Sequence, residues 1–394
     1  MYKLLLSLLF CIVFTPSFGQ NDQHPYFPGD KIIPGAEQPE LYLSLLKKKK
    51  IALVVNQTSI FNNQHLLDFL LSKKVNVVKV FSPEHGFRGD ADAGEKVKST
   101  KDEKTSIAVI SLYGDNKKPK PEQITDVDLV IFDMQDVGAR FYTFLSTLHY
   151  VMEACAENKK ELLILDRPNP NGEYVDGPVL DKNFSSFVGV HPIPIVHGMT
   201  LGELAQMING EKWLKDSLQC QIKITPCKNY THLSRYDVPV KPSPNLPNLL
   251  SIKLYPSLCL FEGTNVSVGR GTETPFQILG VPDSLGQGFS FTPKSIVGMA
   301  KKPLYENKRC TGIYLGSSII TKQIDLYYLI LFYNSCKDKT KYFNNFFNKL
   351  AGNAILQEQI KSGLSAEEIR KTWQPDIQKF KSKRKNYLLY TDFE

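Results

Sequence analysis

The stretch that decides the fold is "IALVVNQTSIFNNQHLLDFLLSKKVNVVKVF" at residues 51–81. It opens with a short apolar run, continues through a segment at 65–74 with the apolar spacing of an amphipathic helix, and closes with a second apolar run. This order is typical of a βαβ unit, in which a right-handed crossover joins two parallel strands. We therefore predict that a parallel sheet starts at residue 51.

The strand and helix pattern continues along the chain. Apolar runs at 106–114, 128–135 and 161–166 predict three more strands, and the segment 140–160 predicts a long helix. The strands are apolar almost throughout, as expected when helices cover both faces of a parallel sheet. The sequence thus predicts an α/β fold with a Rossmann-like three-layer domain.

A change of texture follows residue 185, where prolines interrupt the chain and the regular alternation stops. Short strands at 312–316 and 326–333 and helices at 341–351 and 365–373 are predicted in the last third. We expect a Rossmann-like N-terminal domain over 20–185 and a smaller C-terminal α/β domain over 186–394, with the active site in the cleft between them.

The first nineteen residues resemble an export signal. Lys3 precedes the apolar run "LLLSLLFCIVF", and the run ends in small residues up to Gly19. The run is too short to span a membrane comfortably, so we predict a signal peptide at 1–19 and a secreted or periplasmic mature chain without a membrane span. Export permits disulfides, and Cys220 with Cys227 is the predicted local pair.

Composition excludes several classes of function. The chain of 394 residues is 42% apolar, which supports a folded core rather than disorder. Its net charge of +8 is spread along the chain without stacking aromatic residues beside the basic runs, so nucleic acid is not an expected partner. Glycine-rich dinucleotide and P-loop motifs are absent from the sequence, and no cofactor is expected.

Polar residues follow almost every predicted strand of the sheet. Because the carboxyl ends of parallel strands meet at one edge, where open α/β sheets bind ligands, we expect these side chains to form a site. Glu84 is the strongest candidate, since it leaves its strand beside a histidine and glycines in "SPEHGFRGDADAG" at 82–94. Asp133 and Asp166 could equally be turn formers or helix caps. The candidates at this edge are Asn56, Gln57, Glu84, His85, Arg88, Asp133, Gln135, Arg140, Tyr142, Arg167 and Asn169.

Other catalytic chemistries fit the sequence poorly. The run "DADAG" at 90–94 resembles the start of a calcium loop, but Lys101 stands where the loop needs a glutamate, so no metal is expected. The sequence lacks the G-x-S-x-G motif of serine hydrolases, and no cysteine has an obvious histidine partner. What remains is carboxylate chemistry, the usual equipment of a glycosidase.

A second polar cluster lies at 258–280, "LCLFEGTNVSVGRGTETPFQILG". It could be a glycine-rich connection between elements. If the two domains face each other, Glu262 would oppose Glu84 across the cleft and complete a pair of carboxylates. The candidates from this half are His197, Glu262, Asn265, Arg270 and Thr272.

Taken together and in order, the motifs resemble those of the exo-β-N-acetylmuramidase family of glycoside hydrolases. They are "VVNQTS", "SPEHGFRGDADAG", "DMQDVGARFYTF", "LDRPNPNG", "GPVL", "HGMTLGELA", "SPNLP" and "LFEGTNVSVGRGTETPF", and they span almost the whole mature chain. The one departure is "NQTS" where "NQTG" is expected.

This resemblance implies release of terminal N-acetylmuramic acid from the non-reducing end of peptidoglycan fragments, without a cofactor. It implies Glu84 as catalytic acid and Glu262 as a second acidic or binding residue. From the residues themselves, Asp92, Asp133 and Glu262 all stay open for the second catalytic role. The lactyl carboxylate of the sugar calls for a fixed cation, for which Arg140, Arg167 and Arg270 are candidates. A cell-wall amidase or esterase and a non-catalytic sugar-binding protein are the alternatives.

Overall fold

A computed structural model describes residues 31–84, 86–87, 100–282 and 288–394. The predicted signal peptide and the candidates His85 and Arg88 lie outside these ranges, as does the whole "DADAG" run at 90–94. The residues from Ile32 to Glu394 group into one compact unit.

The described strands are β1 (Ile51–Val55), β2 (Ile60–Phe61), β3 (Gln64–His65), β4 (Val77–Ser82), β5 (Thr100–Lys101), β6 (Ala108–Ser111), β7 (Leu129–Asp133), β8 (Glu161–Leu165), β9 (Gln221–Thr225), β10 (Ile278–Val281), β11 (Phe289–Phe291) and β12 (Cys310–Tyr314). The described α-helices are α1 (Pro39–Tyr42), α2 (Leu66–Ser72), α3 (Pro121–Ile124), α4 (Phe144–Glu157), α5 (Leu201–Gly210), α6 (Leu249–Leu258), α7 (Tyr327–Ser335), α8 (Phe347–Ala351), α9 (Ile355–Lys361) and α10 (Ala366–Arg384).

The central sheet has seven strands in the order β5-β6-β4-β1-β7-β8-β9. All neighbours pair in parallel except β5, a two-residue edge strand antiparallel to β6. The predicted α/β fold with a parallel sheet is therefore confirmed. Strand β9 was not predicted, and it places part of the sheet after residue 185. A three-stranded antiparallel sheet, β10-β12-β11, and the hairpin β2-β3 complete the strand pairing of the described ranges.

Strand β1 shows why the sheet has helices on both faces. Ala52 and Val54 pack into one hydrophobic cluster, whereas Ile51, Leu53 and Val55 pack into another. Successive side chains of a strand point to opposite faces, so each face of the sheet buries its own apolar layer. This arrangement explains the uninterrupted apolar run from which the strand was predicted.

The segment 326–333, predicted as a strand, is helix α7, so that prediction was wrong. Within the helix, Leu329 and Tyr333 are buried, and these positions are one helical turn apart. Its aromatic and branched residues resemble a strand in composition, but burial repeats every four residues rather than every two. The partner surface, rather than local preference, selects the helix.

The predicted Cys220–Cys227 disulfide is also wrong, since both residues have free thiols. They flank β9, whose five residues alone extend over about 13 Å at the rise of a strand. Disulfide-bonded cysteines need Cα atoms within about 7 Å, so an extended strand cannot separate such a pair. The Cys220 thiol instead lies beside that of Cys155 on α4, and a hydrogen bond between them is the main cause of the raised pKa of Cys155.

Candidate active site

A cavity of about 470 Å³ opens where β4 and β6 end. Glu84 lies two residues beyond β4 and Tyr113 two residues beyond β6, so both reach the edge of the sheet at which parallel α/β folds bind ligands. Glu262 and Arg270, from the second polar cluster of the sequence, line the same cavity. The fold thus brings the two predicted carboxylates to one site of the size that small molecules occupy.

Two hydroxyl groups hold the Glu84 carboxylate. The Thr143 Oγ1 atom donates a hydrogen bond of 2.8 Å to Oε2 of Glu84. Burial raises the pKa of Tyr113 above its ordinary value, and the charge of Glu84 and a hydrogen bond to it raise this pKa further. The tyrosine hydroxyl therefore stays protonated as a donor, and the carboxylate is fixed in direction from two sides.

Glu262 is held by a cation. It lies in the 3₁₀ turn Cys259–Gly263, and Arg270 Nε donates to its Oε1 atom at 2.5 Å. The Arg270 guanidinium also sits 5.1 Å from the centre of the Phe276 ring, a cation–π distance. Side chains of the pair are 22% and 26% exposed, so both remain accessible from the cavity.

Asp133, the other predicted catalytic carboxylate, does not line this cavity. It is fully buried and pairs with Arg167, whose Nε and Nη2 atoms lie 2.5 and 3.0 Å from its two oxygens. Burial raises the pKa of Asp133 and Arg167 opposes that rise. Arg167 Nη2 also donates a hydrogen bond to the Ile60 carbonyl. We assign this pair a structural role, because both partners satisfy each other away from the cavity.

Arg140 is likewise structural. Its Nη1 atom donates to the carbonyls of Pro178 and Ile193, and its Nη2 atom to those of Leu350 and Ala351, all at 2.7–2.9 Å. The side chain is 1% exposed and joins segments more than 200 residues apart. Arg140 also does not line the cavity, so it is not placed to bind a sugar carboxylate there.

The predicted amides hold loops together instead of lining the cavity. Asn56 Oδ1 caps its own turn by accepting from Thr58, and Asn169 Nδ2 donates to the Met199 carbonyl at 2.9 Å. Gln57 donates to the carbonyls of Lys241 and Pro242, and Gln135 to those of Pro168 and Asp136. Buried polar groups need such partners, and main-chain carbonyls of the neighbouring loops supply them.

The remaining candidates divide in the same way. Tyr142 lines the cavity, although its hydroxyl donates to the Pro242 carbonyl at 2.7 Å. His197 is fully buried, and burial together with nearby arginines lowers its pKa to about 3. Thr272 Oγ1 donates to the Gly269 carbonyl, and the Asn265 carbonyl accepts from a tyrosine hydroxyl. None of the last three side chains is among those lining the cavity in the described ranges.

Several cavity residues were missed by sequence reasoning. Tyr113 and Thr143 contact Glu84, while Ser243 and Asn245 lie on the opposite loop. The sequence contained a clue to three of them, since Thr143 belongs to the motif "RFYTF" and Ser243 and Asn245 belong to "SPNLP". What was lacking was a reason to prefer these hydroxyls and amides over those at the strand ends.

Neither a metal cluster nor a membrane-spanning helix occurs in the described part of the chain. No group of three or more histidine, cysteine, aspartate or glutamate side chains there could hold an ion. No described helix is both long and apolar enough to cross a membrane.

Comparison with known proteins identifies the family of this chain. Residues 51–250 match the family model of the exo-β-N-acetylmuramidase NamZ N-terminal domain, and residues 253–390 match that of its C-terminal domain. The predicted boundary at residue 185 lies within the first match and stays a prediction.

Relatives of known sequence or structure cover most of the chain. The peptidoglycan β-N-acetylmuramidase NamZ of Bacillus subtilis is 37% identical over 381 residues, 89% of each chain. Two crystal structures of DUF1343 family proteins from Bacteroides fragilis are similar, with TM-scores of 0.86 and 0.77 at 49% and 27% identity. They cover 92% and 91% of this chain, which in turn covers 100% and 99% of theirs. The chain is thus a glycoside hydrolase that belongs to the exo-β-N-acetylmuramidase NamZ family.

Proposed function

We propose that the protein releases terminal N-acetylmuramic acid from the non-reducing end of peptidoglycan fragments, with Glu84 as general acid. The observation that carries the proposal is that Glu84 and the Glu262–Arg270 pair line one cavity of sugar-binding size. The activity in the name of the B. subtilis relative supports the same substrate class.

Glu84 is placed to handle a proton. Its carboxyl group lines the cavity between the hydroxyls of Thr143 and Tyr113, which fix its direction. In glycoside hydrolysis such a group protonates the leaving oxygen while the bond to the anomeric carbon breaks.

Glu262 is the second carboxylate of the proposal. It pairs with Arg270, and a negative charge in the cavity would stabilise the positive charge that develops on the sugar ring. Asp133 is not proposed for this role, because its carboxylate oxygens accept hydrogen bonds from Arg167 in the core.

Arg270 is the proposed partner of the lactyl carboxylate. Of the three arginine candidates it alone lines the cavity, since Arg140 and Arg167 are committed to carbonyls and to Asp133. Its Nε atom donates to Glu262, and the side chain is 26% exposed. A ligand carboxylate in the cavity could therefore approach the guanidinium and accept a charge-assisted hydrogen bond from it.

The test compares two nitrophenyl sugars and one disaccharide. Wild-type protein is expected to hydrolyse para-nitrophenyl N-acetylmuramide but not the N-acetylglucosaminide, which lacks the lactyl group. It should also split N-acetylmuramyl-N-acetylglucosamine. Nitrophenolate leaves with little help from an acid, whereas a sugar hydroxyl needs a proton, so Glu84→Gln should lose far more activity on the disaccharide.

The control is Glu122→Gln, an exposed glutamate on α3. It should match the wild type on every substrate. Equal loss of both substrates in Glu84→Gln would make Glu84 a nucleophile or base instead of the acid. A folded wild type that cleaves neither muramide would favour a cell-wall amidase or a sugar-binding protein.

We propose further that the protein is exported and that its signal peptide ends at Gly19. The apolar run after Lys3 and the small residues that follow it support this. N-terminal sequencing of protein recovered from outside the cytoplasm tests it. A mature chain that still starts at Met1 would contradict it.

A further inference from the structure

A second cavity, of about 650 Å³, adjoins the first. Glu262 and Arg270 line both cavities, so this ion pair stands between them. Glu84 lines only the first. The second cavity is therefore adjacent to the proposed catalytic site and lies on the far side of the Glu262–Arg270 pair.

The wall of the second cavity is tied down by main-chain contacts. The Lys294 amide donates to the Gly271 carbonyl at 2.8 Å, and the Asn245 side chain donates to the Met299 carbonyl at 2.8 Å. The Tyr305 hydroxyl donates to the Asn265 carbonyl at 2.5 Å. Asn245 lines the first cavity and Met299 the second, so one hydrogen bond holds walls of both.

Charge distinguishes the second cavity. Arg270, Lys301 and Lys302 line it, and the one acid among its described lining residues is Glu262, which Arg270 already neutralises. Apart from this ion pair, Lys301 and Lys302 are the charged residues of the described lining, which also includes Val266, Leu304 and other apolar residues. Such a surface suits a ligand with a negative charge and an apolar face, a description that fits a carboxylated sugar.

We propose that this second cavity binds the leaving-group side of the substrate, and that Lys302 recognises a carboxylate carried there. The inference rests on the proposed function. We abbreviate N-acetylmuramic acid as MurNAc and N-acetylglucosamine as GlcNAc. In a peptidoglycan strand every second sugar bears a lactyl group, which is a free carboxylate wherever no stem peptide is attached to it. The leaving group of the trisaccharide MurNAc-GlcNAc-MurNAc is therefore anionic, whereas that of the disaccharide MurNAc-GlcNAc is neutral. The enzyme should consequently prefer the trisaccharide.

The experiment measures kcat/KM of the wild type, Lys302→Ala and Lys302→Glu on para-nitrophenyl N-acetylmuramide, the disaccharide and the trisaccharide. We expect Lys302→Ala to lower kcat/KM on the trisaccharide by about 2- to 5-fold, the range of an exposed ion pair. Lys302→Glu should lower it more, because repulsion replaces attraction. Both variants should match the wild type on the other two substrates.

Two controls sharpen the comparison. Lys371→Ala removes an exposed lysine of α10 that pairs with Glu367, and it should leave all three substrates unaffected. Raising the salt from 0.05 to 0.5 M should reduce the wild-type preference for the trisaccharide, because the charges are accessible to ions. A trisaccharide that carries stem peptides tells whether the peptide carboxylates are recognised in the same way.

Clear outcomes would overturn the proposal. An equal loss on all three substrates in the Lys302 variants would place Lys302 in the catalytic cavity, and no loss on any would leave the second cavity without a role in this reaction. If the wild type cleaves none of the substrates, the proposed function fails by itself. Calorimetric binding of the trisaccharide to wild type and Lys302→Glu would then still decide whether the cavity recognises a carboxylate.

Discussion

Asp133→Asn separates a structural from a catalytic role for this carboxylate. In the structure Asp133 is fully buried and meets Arg167 through two contacts, at 2.5 and 3.0 Å. The substitution keeps the size of the side chain but leaves the guanidinium buried without a counter-charge. Removing one partner of a buried ion pair costs about 3–5 kcal/mol of unfolding free energy.

The measurement is urea unfolding followed by circular dichroism and tryptophan fluorescence. With a urea dependence of about 3 kcal/mol per M, the midpoint of Asp133→Asn should fall by about 1–1.7 M. The matched control is Asp126→Asn. The Asp126 carboxylate pairs with Lys79 at 2.5 Å but is 53% exposed, so this substitution should lower the unfolding free energy by less than about 1 kcal/mol.

Activity completes the test. Folded Asp133→Asn should retain most of its turnover of para-nitrophenyl N-acetylmuramide, because the carboxylate does not line the cavity. The result that would refute this reasoning is an Asp133→Asn variant that unfolds at the wild-type midpoint but loses more than about 100-fold in turnover. A 100-fold loss corresponds to ~2.7 kcal/mol, the size of one strong interaction in the transition state. The carboxylate would then have to meet the substrate.

Substitutions at three further positions test the site and the structure around it. Thr143→Val removes a hydrogen bond to Glu84 and should lower kcat/KM on the disaccharide by about 10-fold or more, whereas Thr143→Ser should retain most of it. Asp136 is buried and its pKa is raised to about 7, so its protonated form is favoured by folding and wild-type stability is lost as pH rises from about 4 through 7. Asp136→Asn should therefore become more stable than the wild type across that interval, with a difference in unfolding free energy that reaches roughly 4 kcal/mol at its upper end. The same difference in melting temperature between the two proteins at pH 5 and at pH 8 would contradict this. Arg140→Lys keeps the charge but reaches fewer of the four carbonyls, so its free energy of unfolding, measured by thermal unfolding, should be about 2–3 kcal/mol lower. The KM of the folded enzyme should stay unchanged.

The parallel strands were predictable because both of their faces are buried. Residues 51–55 and 161–165 are apolar runs that the core demands, and the structure has strands there. Strand β9 was missed because it lies at the edge of the sheet, where polar residues alternate with apolar ones and Lys223 interrupts the run. Helix α7 was misassigned because its composition suits a strand and its neighbours alone decide otherwise.

The polar residues of the site were predictable as a set but not in their individual positions. Asp133 and Asn169 follow strands just as Glu84 does, yet they contact Arg167 and the Met199 carbonyl in the interior. A sequence shows that a polar side chain leaves a strand end. It does not show whether that side chain meets solvent or satisfies a buried carbonyl of another loop.

By itself, therefore, the sequence determined the α/β fold with its parallel sheet, the family and the two segments that carry Glu84 and Glu262. Each follows from local patterns, either apolar runs that a buried sheet requires or short motifs that keep their order. Only the tertiary structure decided that Arg270 rather than Arg140 or Arg167 faces the cavity, and that a second, cationic cavity lies beyond it. Those outcomes depend on hydrogen bonds between segments as far as 211 residues apart, such as that from Arg140 to the Ala351 carbonyl, and a one-dimensional pattern carries no record of them.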